Sequence, residues 1–168
     1  MEIVGYAILI LVVSVGVVYV IGMFIPKEHV ANRTTVINAS VEKVWKIVTD
    51  IENQTVWRKD LEKVEVIEQT ENTKVWTEYP QKGRPITFRE VQKTPYTRYK
   101  IEIVPRGAIS GYWVSEFSQT DEGVVFESKE LGKIHSPILR VLAYLFFDMG
   151  KTIEEYQYNL KYHLENNI

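Results

Sequence analysis

The chain has no cysteine, so no disulfide staples it and no thiolate can hold a metal. Its histidines, His29, His135 and His163, have no mutual spacing that suggests a metal site; surface or capping roles suit them better. There is no glycine-rich phosphate loop, no Gly-x-Ser-x-Gly and no His-Glu-x-x-His, which removes nucleotide-binding, serine-hydrolase and zincin readings. Nothing in the sequence implies a cofactor. Runs of like charge are missing too. Glu2 is the only charge before Lys27, so residues 27–168 carry all 20 Lys+Arg and all but one of the 22 Asp+Glu. A near-neutral stretch of this kind offers no electrostatic case for nucleic acid.

What stands out at the start is a run of 23 uncharged residues, Ile3 to Ile25, rich in Val and Ile. As a helix it would be about 34 Å long, enough to cross a hydrocarbon core of roughly 30 Å. β-Branched residues are poor helix formers in water, but lipid leaves the backbone no other hydrogen-bond partner. A cleaved secretory signal would need a basic start, a shorter apolar stretch and a small-residue cleavage site. None of these is present, so residues 1–26 are expected to be an uncleaved single-pass anchor and residues 27–168 a folded domain. Lys27, Arg33 and Lys43 flank the run on its C-terminal side and no Lys or Arg flanks the other, which points to a cytoplasmic domain. The run contains no Gly-x-x-x-Gly, so nothing specific suggests pairing within the membrane, and the oligomeric state stays open.

Beyond Pro26, Arg33 to Asn38 has the pattern of a short strand. Ser40 is placed as an N-cap, and Val41, Val44, Trp45 and Val48 then fall on one helical face. Asp50 to Trp57 reads as a second short helix or turn. From Leu61 the period changes. Val64–Glu68, Lys74–Tyr79, Ile86–Lys93, Arg98–Val104, Tyr112–Ser118 and Val124–Leu131 are six β-rich runs. They are separated by turn clusters such as Glu71-Asn72, Lys82-Gly83, Thr94-Pro95 and Asp121-Glu122-Gly123. Short connections make such runs an antiparallel meander. Ser136-Pro137 then opens a helix whose stripe, Ile138, Leu142, Leu145, Met149, Ile153, Tyr156, Leu160 and Leu164, is sustained over about seven turns. Gly150 offers a place to bend. The expected architecture is α+β: a curled seven-stranded antiparallel sheet, two short helices and a long terminal helix laid across its concave side, with room for a hollow between.

This order, with Thr-Val-Ile-Asn-Ala-Ser-Val-Glu-Lys-Val-Trp-Lys-Ile-Val-Thr-Asp (35–50), Trp57, Gly-Tyr-Trp-Val-Ser-Glu-Phe (111–117) and Glu-Gly-Val-Val-Phe-Glu-Ser-Lys-Glu (122–130), resembles the START-like superfamily. That group, also called SRPBCC or polyketide cyclase/dehydrase-like, has the helix-grip fold. The resemblance covers about residues 32–165. It implies a cavity between sheet and terminal helix for lipids, isoprenoids, polyketides or other apolar compounds, held by carriers, sensors and a minority of enzymes. It implies no shared catalytic constellation. A membrane span is not part of the general pattern, and it favours cargo of membrane origin.

Strand alternation selects the side chains that would face such a cavity. Trp113, Ser115 and Phe117 share one face of their strand, Phe126, Ser128 and Glu130 one face of the next. Tyr99, Ile101 and Phe88 supply the neighbouring strands, Trp57 and Trp76 the far side, and Leu142, Leu145 and Phe146 the helix. An apolar lining with a few polar groups is the usual composition of a small-molecule site. The same residues would equally serve as a filled core. Glu130 and Glu78, the latter sharing a face with Trp76, are the sharper cases, because a buried carboxylate needs a partner or has a raised pKa. Either could be a general acid or base, or could be paired by Arg89, Arg98 or Lys129. The leading expectation is a membrane-tethered binder or carrier of a hydrophobic small molecule or lipid, without chemistry of its own. The alternatives are a cyclase or dehydratase using a buried glutamate, and a ligand-free interaction module.

Overall fold

A computed structural model describes residues 2–71 and 73–166; Asn72 of the expected Glu71-Asn72 turn lies outside them. The first helix, α1, runs Glu2–Phe24 and is exposed along nearly its whole length, Gly22 being its one buried residue. It is long and apolar enough to cross a membrane. β1 follows at Glu28–Ile37, starting five residues before the expected strand because Glu28 to Asn32 pair with Lys129 to Lys133 on the last strand. Ser40 does cap α2 (Val41–Thr49), its hydroxyl accepting from the Lys43 amide, and the face carrying Val44, Trp45 and Val48 is buried. A short 3₁₀ helix occupies Ile51–Val56.

The meander is β2 Leu61–Gln69, β3 Lys74–Pro80, β4 Ile86–Thr94, β5 Arg98–Arg106, β6 Ile109–Thr120 and β7 Gly123–Ile134. All seven strands form one antiparallel sheet in the order β1-β7-β6-β5-β4-β3-β2. The chain thus lays β1 down first, makes the six-strand meander, and brings β7 home beside β1. Gly123, with φ of 126°, makes the β6–β7 turn in a conformation that a side chain would strain.

The expected terminal helix arrives in two pieces, α3 (Pro137–Phe146) and α4 (Met149–Asn166). The break falls at Phe147 and Asp148, ahead of Gly150. Phe147 is extended, and Asp148 starts a new helix by accepting the Lys151 amide at 3.1 Å. α4 then packs on β1 and β7, where Gln157 donates to the Arg33 and Phe126 carbonyls and Leu160 is fully buried. α3 goes elsewhere. It packs on α1, and Leu142, Leu145 and Phe146 are exposed on it at 45%, 62% and 81%. These three therefore do not line the inner face of the sheet, which corrects the expectation from helical spacing.

The cause is Arg140, which is only 4% exposed. Its guanidinium donates to the carbonyls of Gly22 (2.8 Å), Ile25 (3.1 Å) and His135 (3.0 Å), and its Nε donates to Ile134 (3.0 Å). Carbonyls at a helix C-terminus have no partner within the helix. One side chain satisfies that of Gly22 in the last turn of α1 and that of Ile25 just beyond it, and fastens them to the root of α3. Gly22 allows the approach, since a Cβ there would collide with the Pro137 carbonyl.

Candidate functional site

The strand register assembles one face from five strands. Trp113 stands opposite Ile101 on β5 and Glu130 on β7; Ser115 stands opposite Tyr99 and Ser128. Phe117 faces Phe126, and Phe88 faces Trp76 and Ile103. The structure therefore brings Trp76, Phe88, Tyr99, Ile101, Trp113, Ser115, Phe117, Phe126, Ser128 and Glu130 together on the inner side of the sheet. Trp57 joins them from the segment after the 3₁₀ helix, its ring 5.0 Å from that of Tyr156 on α4.

Much of this face is filled by aromatic rings, where a hollow had been expected. Trp45 of α2 packs edge-on against Phe117 at 5.3 Å, and Phe117 meets Phe126 at 5.1 Å. Trp113 meets Tyr156 at 5.0 Å, and Trp76 stacks on Phe88 at 5.8 Å. The physical reason is the grip itself. α4 packs on β1 and β7 and α2 on β6 and β7, whereas the central strands have no helix packed closely on them. Large side chains span that separation. They do so unevenly: Trp76 and Phe126 are fully buried, while Phe88, Ile103, Trp113 and Tyr156 are only half-buried. The inner face thus has a closed end under α2 and a less covered end toward β5, β6 and β7.

Its polar groups differ in how well they are satisfied. Trp113 Nε1 donates to the Ser115 hydroxyl at 3.1 Å. The Ser128 hydroxyl and Trp57 Nε1 are buried with no hydrogen-bond partner among the described residues. Burial, with the Glu90 carboxylate adding to it, raises the Tyr99 hydroxyl well above the ordinary tyrosine pKa.

Glu78 is held on both oxygens. Arg58 donates to one at 2.8 Å and Trp76 Nε1 to the other at 3.1 Å. Arg58 also pairs with Asp60 at 2.7 Å and accepts Tyr156 beneath its guanidinium, 5.4 Å from the ring centroid. Burial works against the Arg58 charge, but Glu78 and Asp60 together raise its pKa above the ordinary guanidinium value. The expected partners Arg89 and Arg98 instead pair with Glu102 and Glu116. A carboxylate engaged in this way is a structural counter-ion, which removes Glu78 as an acid or base. Arg58 had not been singled out from sequence; the one available hint was that a buried Glu78 demands a cation.

Glu130 is the opposite case. It is half-buried beside Trp113, carries no hydrogen bond or ion pair among the described residues, and is pushed up to about 7 by burial. Near neutrality it exists in both forms, able to donate a proton or accept one. Two surface depressions lie near this end of the molecule. One, of about 400 Å³, is lined by His29, Ile103, Gly111, Tyr112, Leu131 and Gly132 among others; the other, of about 480 Å³, sits at the α3–α4 elbow. Among the described residues no three His, Asp or Glu are placed to hold a metal.

With this geometry in place, comparisons with known proteins give a consistent result. A family model described as "Polyketide cyclase / dehydrase and lipid transport" matches residues 28–146. Among solved structures, the di-domain aromatase/cyclase StfQ of the steffimycin biosynthetic pathway superposes with a TM-score of 0.66 at 12% identity, over 83% of this chain and 52% of that one. The chain thus spans about half of that di-domain protein. A Thermus thermophilus protein gives 0.65 at 19% identity over 82% and 96% of the two chains. Norcoclaurine synthase from Thalictrum flavum gives 0.67 at 9% identity over 83% and 96%. At such identities the likeness is one of fold. No curated protein sequence matches.

Proposed function

Because the chain belongs to the polyketide cyclase / dehydrase and lipid transport family and has its hydrophobic-ligand-binding helix-grip fold, we propose that it is a membrane-tethered binder or carrier of an apolar small molecule. Lipid, isoprenoid and polyketide-like compounds are the candidate cargoes. In this reading α1 crosses the bilayer with the domain on the cytoplasmic side, and the ligand lies on the inner face against Phe88, Tyr99, Ile101, Trp113 and Ser115. The observation that carries it is the half-buried end of that face, where Glu130 stands opposite Trp113 with no side-chain partner among the described residues and α3 packs on α1. A ligand enters by displacing side chains: Trp113 and Tyr156 are half-buried and can turn outward, whereas Trp76 and Phe126 cannot. The Ser128 hydroxyl, buried on this face without a partner among the described residues, would then meet a polar atom of the cargo.

The test is native mass spectrometry and solvent extraction of the full chain purified in lipid nanodiscs. A bound apolar compound is expected, and its uptake should change the tryptophan emission through Trp113. A chain that neither carries nor accepts any lipid, quinone or polyketide ends the proposal in favour of a ligand-free interaction module. A second reading is favoured by Glu130 specifically: a cyclase or dehydratase in which this residue moves a proton. Glu130→Gln should then abolish turnover while ligand uptake persists. Equal turnover in both proteins removes the enzyme.

A further inference from the structure

α3 is an apolar helix with an unusual position. Leu139, Leu142, Tyr144, Leu145, Phe146 and Phe147 are all exposed, by between 37% and 81%, and the one charged residue within α3, Arg140, is turned inward. Charge returns only at Asp148 and Lys151, beyond its end. The neighbour of this surface is α1, itself apolar and exposed, and the two surfaces are continuous. α3 packs on α1, where Val18 is half-buried and Gly22 buried, one helical turn apart, and Ile25 just beyond the helix is half-buried too. Val15 and Leu11, one and two turns further up the same face, are exposed by 48% and 63%, which limits the contact to the last turns of α1.

The geometry fixes how α3 lies. It begins three residues after β7, and only Phe147 and Asp148 separate it from α4, whose Met149 touches the Cβ position of Gly132 on β7. Both ends are therefore tied to the same corner of the sheet, and a helix of ten residues, about 15 Å, cannot reach far up α1. It is held beside the last turns of α1, with Pro137 and Arg140 at Gly22, close to where an apolar span gives way to polar chain at Lys27. The Arg140 clamp leaves no bare charge on the exposed side. A short helix with aromatic and leucine side chains outward, held at this depth, fits the boundary between acyl chains and headgroups.

We propose that α3 is an in-plane interfacial helix whose exposed side chains enter the same bilayer that α1 crosses, so that the domain is seated on the lipid and does not swing from a tether. This deepens the reading that α1 spans a membrane and rests on it. The absence of cysteine makes the test clean. Single cysteines replace Val13 in mid-α1, Leu142 and Phe146 on α3, and Tyr158 on α4, which is 67% exposed. Each carries an environment-sensitive fluorophore, and the full chain is reconstituted in phosphatidylcholine vesicles doped with lipids spin-labelled either shallow or deep in the acyl chain. The expected result is that V13C is quenched most by the deep label, L142C and F146C by the shallow one, and Y158C by neither. Quenching at Val13 with none at Leu142 and Phe146 overturns the proposal and leaves the span intact. No quenching at Val13 overturns the span and the proposal with it. Pyrene excimers from F146C that rise with protein density, without lipid quenching, would assign the surface to a second copy instead. Arg140→Met in the F146C background should lose the Phe146 quenching while Val13 keeps its own; unchanged quenching there would refute the clamp.

Discussion

Glu78 on β3 and Glu130 on β7 face the same interior from strands that are each one place from an edge of the sheet. One is locked by a guanidinium and an indole; the other has no side-chain partner among the described residues and is pushed up to about 7 by burial. The difference does not come from the strands that carry them, which alternate in the same way. It comes from what the connecting segments deliver opposite each. The segment after the 3₁₀ helix brings Arg58 over Glu78. The segment after β7 could have brought α3 over the Glu130 end, but Arg140 ties the root of α3 to Gly22 and Ile25 at the foot of α1. Two arginines, Arg140 buried and Arg58 half-buried, thus decide which end of the sheet is finished and which is left available.

That contrast can be broken from the finished end first. Arg58→Ala strands a carboxylate that is 7% exposed, and removing one member of such a pair should cost about 3–5 kcal/mol, measured by denaturant unfolding of the full chain in micelles. The double change Arg58→Met, Glu78→Leu should recover most of that loss; if it does not, the pair does more than neutralise itself. Arg140→Met gives up four carbonyl contacts to a charged donor and is expected to cost about 2–3 kcal/mol, with faster hydrogen exchange in α3 as its local signature.

At the open end the sign reverses. Glu130 is about 7 in the folded chain against an ordinary 4.5, so between those values the folded state keeps a proton that the unfolded state has lost. Stability therefore falls as pH rises through that window and is level above it. Glu130→Gln should be more stable than the parent by about 1–2 kcal/mol at pH 8, after allowance for partial solvent screening, and no different at pH 4. A variant that is less stable at pH 8 would reveal a partner for the carboxylate. The smallest effect belongs to the outer face, where a double-mutant cycle on the exposed Arg89–Glu102 pair should yield less than about 1 kcal/mol.

The parts of the fold with a local cause were readable in the sequence. Ser40 and the Val44-Trp45-Val48 face announce α2, and period-two alternation places Trp113, Ser115 and Phe117 on one side together and puts Glu130 beside them. What the pattern could not convey is pairing at long range. Arg58 meets Glu78 across 20 residues and Arg140 meets Gly22 across 118, and no periodicity links them. The apolar stripe through Leu142 and Leu145 was likewise genuine, but a stripe states only that a face will be covered or buried in something. It cannot name the cover. Here α1, placed at the other end of the chain, competes for α3 against the sheet and wins through hydrogen bonds that hydrophobic spacing does not encode. The choice between a hollow and a core filled by rings stayed open for a related reason: alternation gives direction, and only the separation of α4 from the central strands decides whether an inward aromatic meets another ring.

The sheet has two rims, and they are protected differently. β1 is flanked by α4, whose Lys161 reaches the Val36 carbonyl. β2 has no strand beyond it, yet it is irregular near both ends, between Leu61 and Lys63 and between Val66 and Glu68, and carries Glu62, Lys63, Glu65 and Glu68. Such kinks and charges discourage strand addition. In the membrane-tethered reading proposed above, copies would meet often on a two-dimensional surface, and that irregular rim would keep neighbours from knitting their sheets into a continuous ribbon.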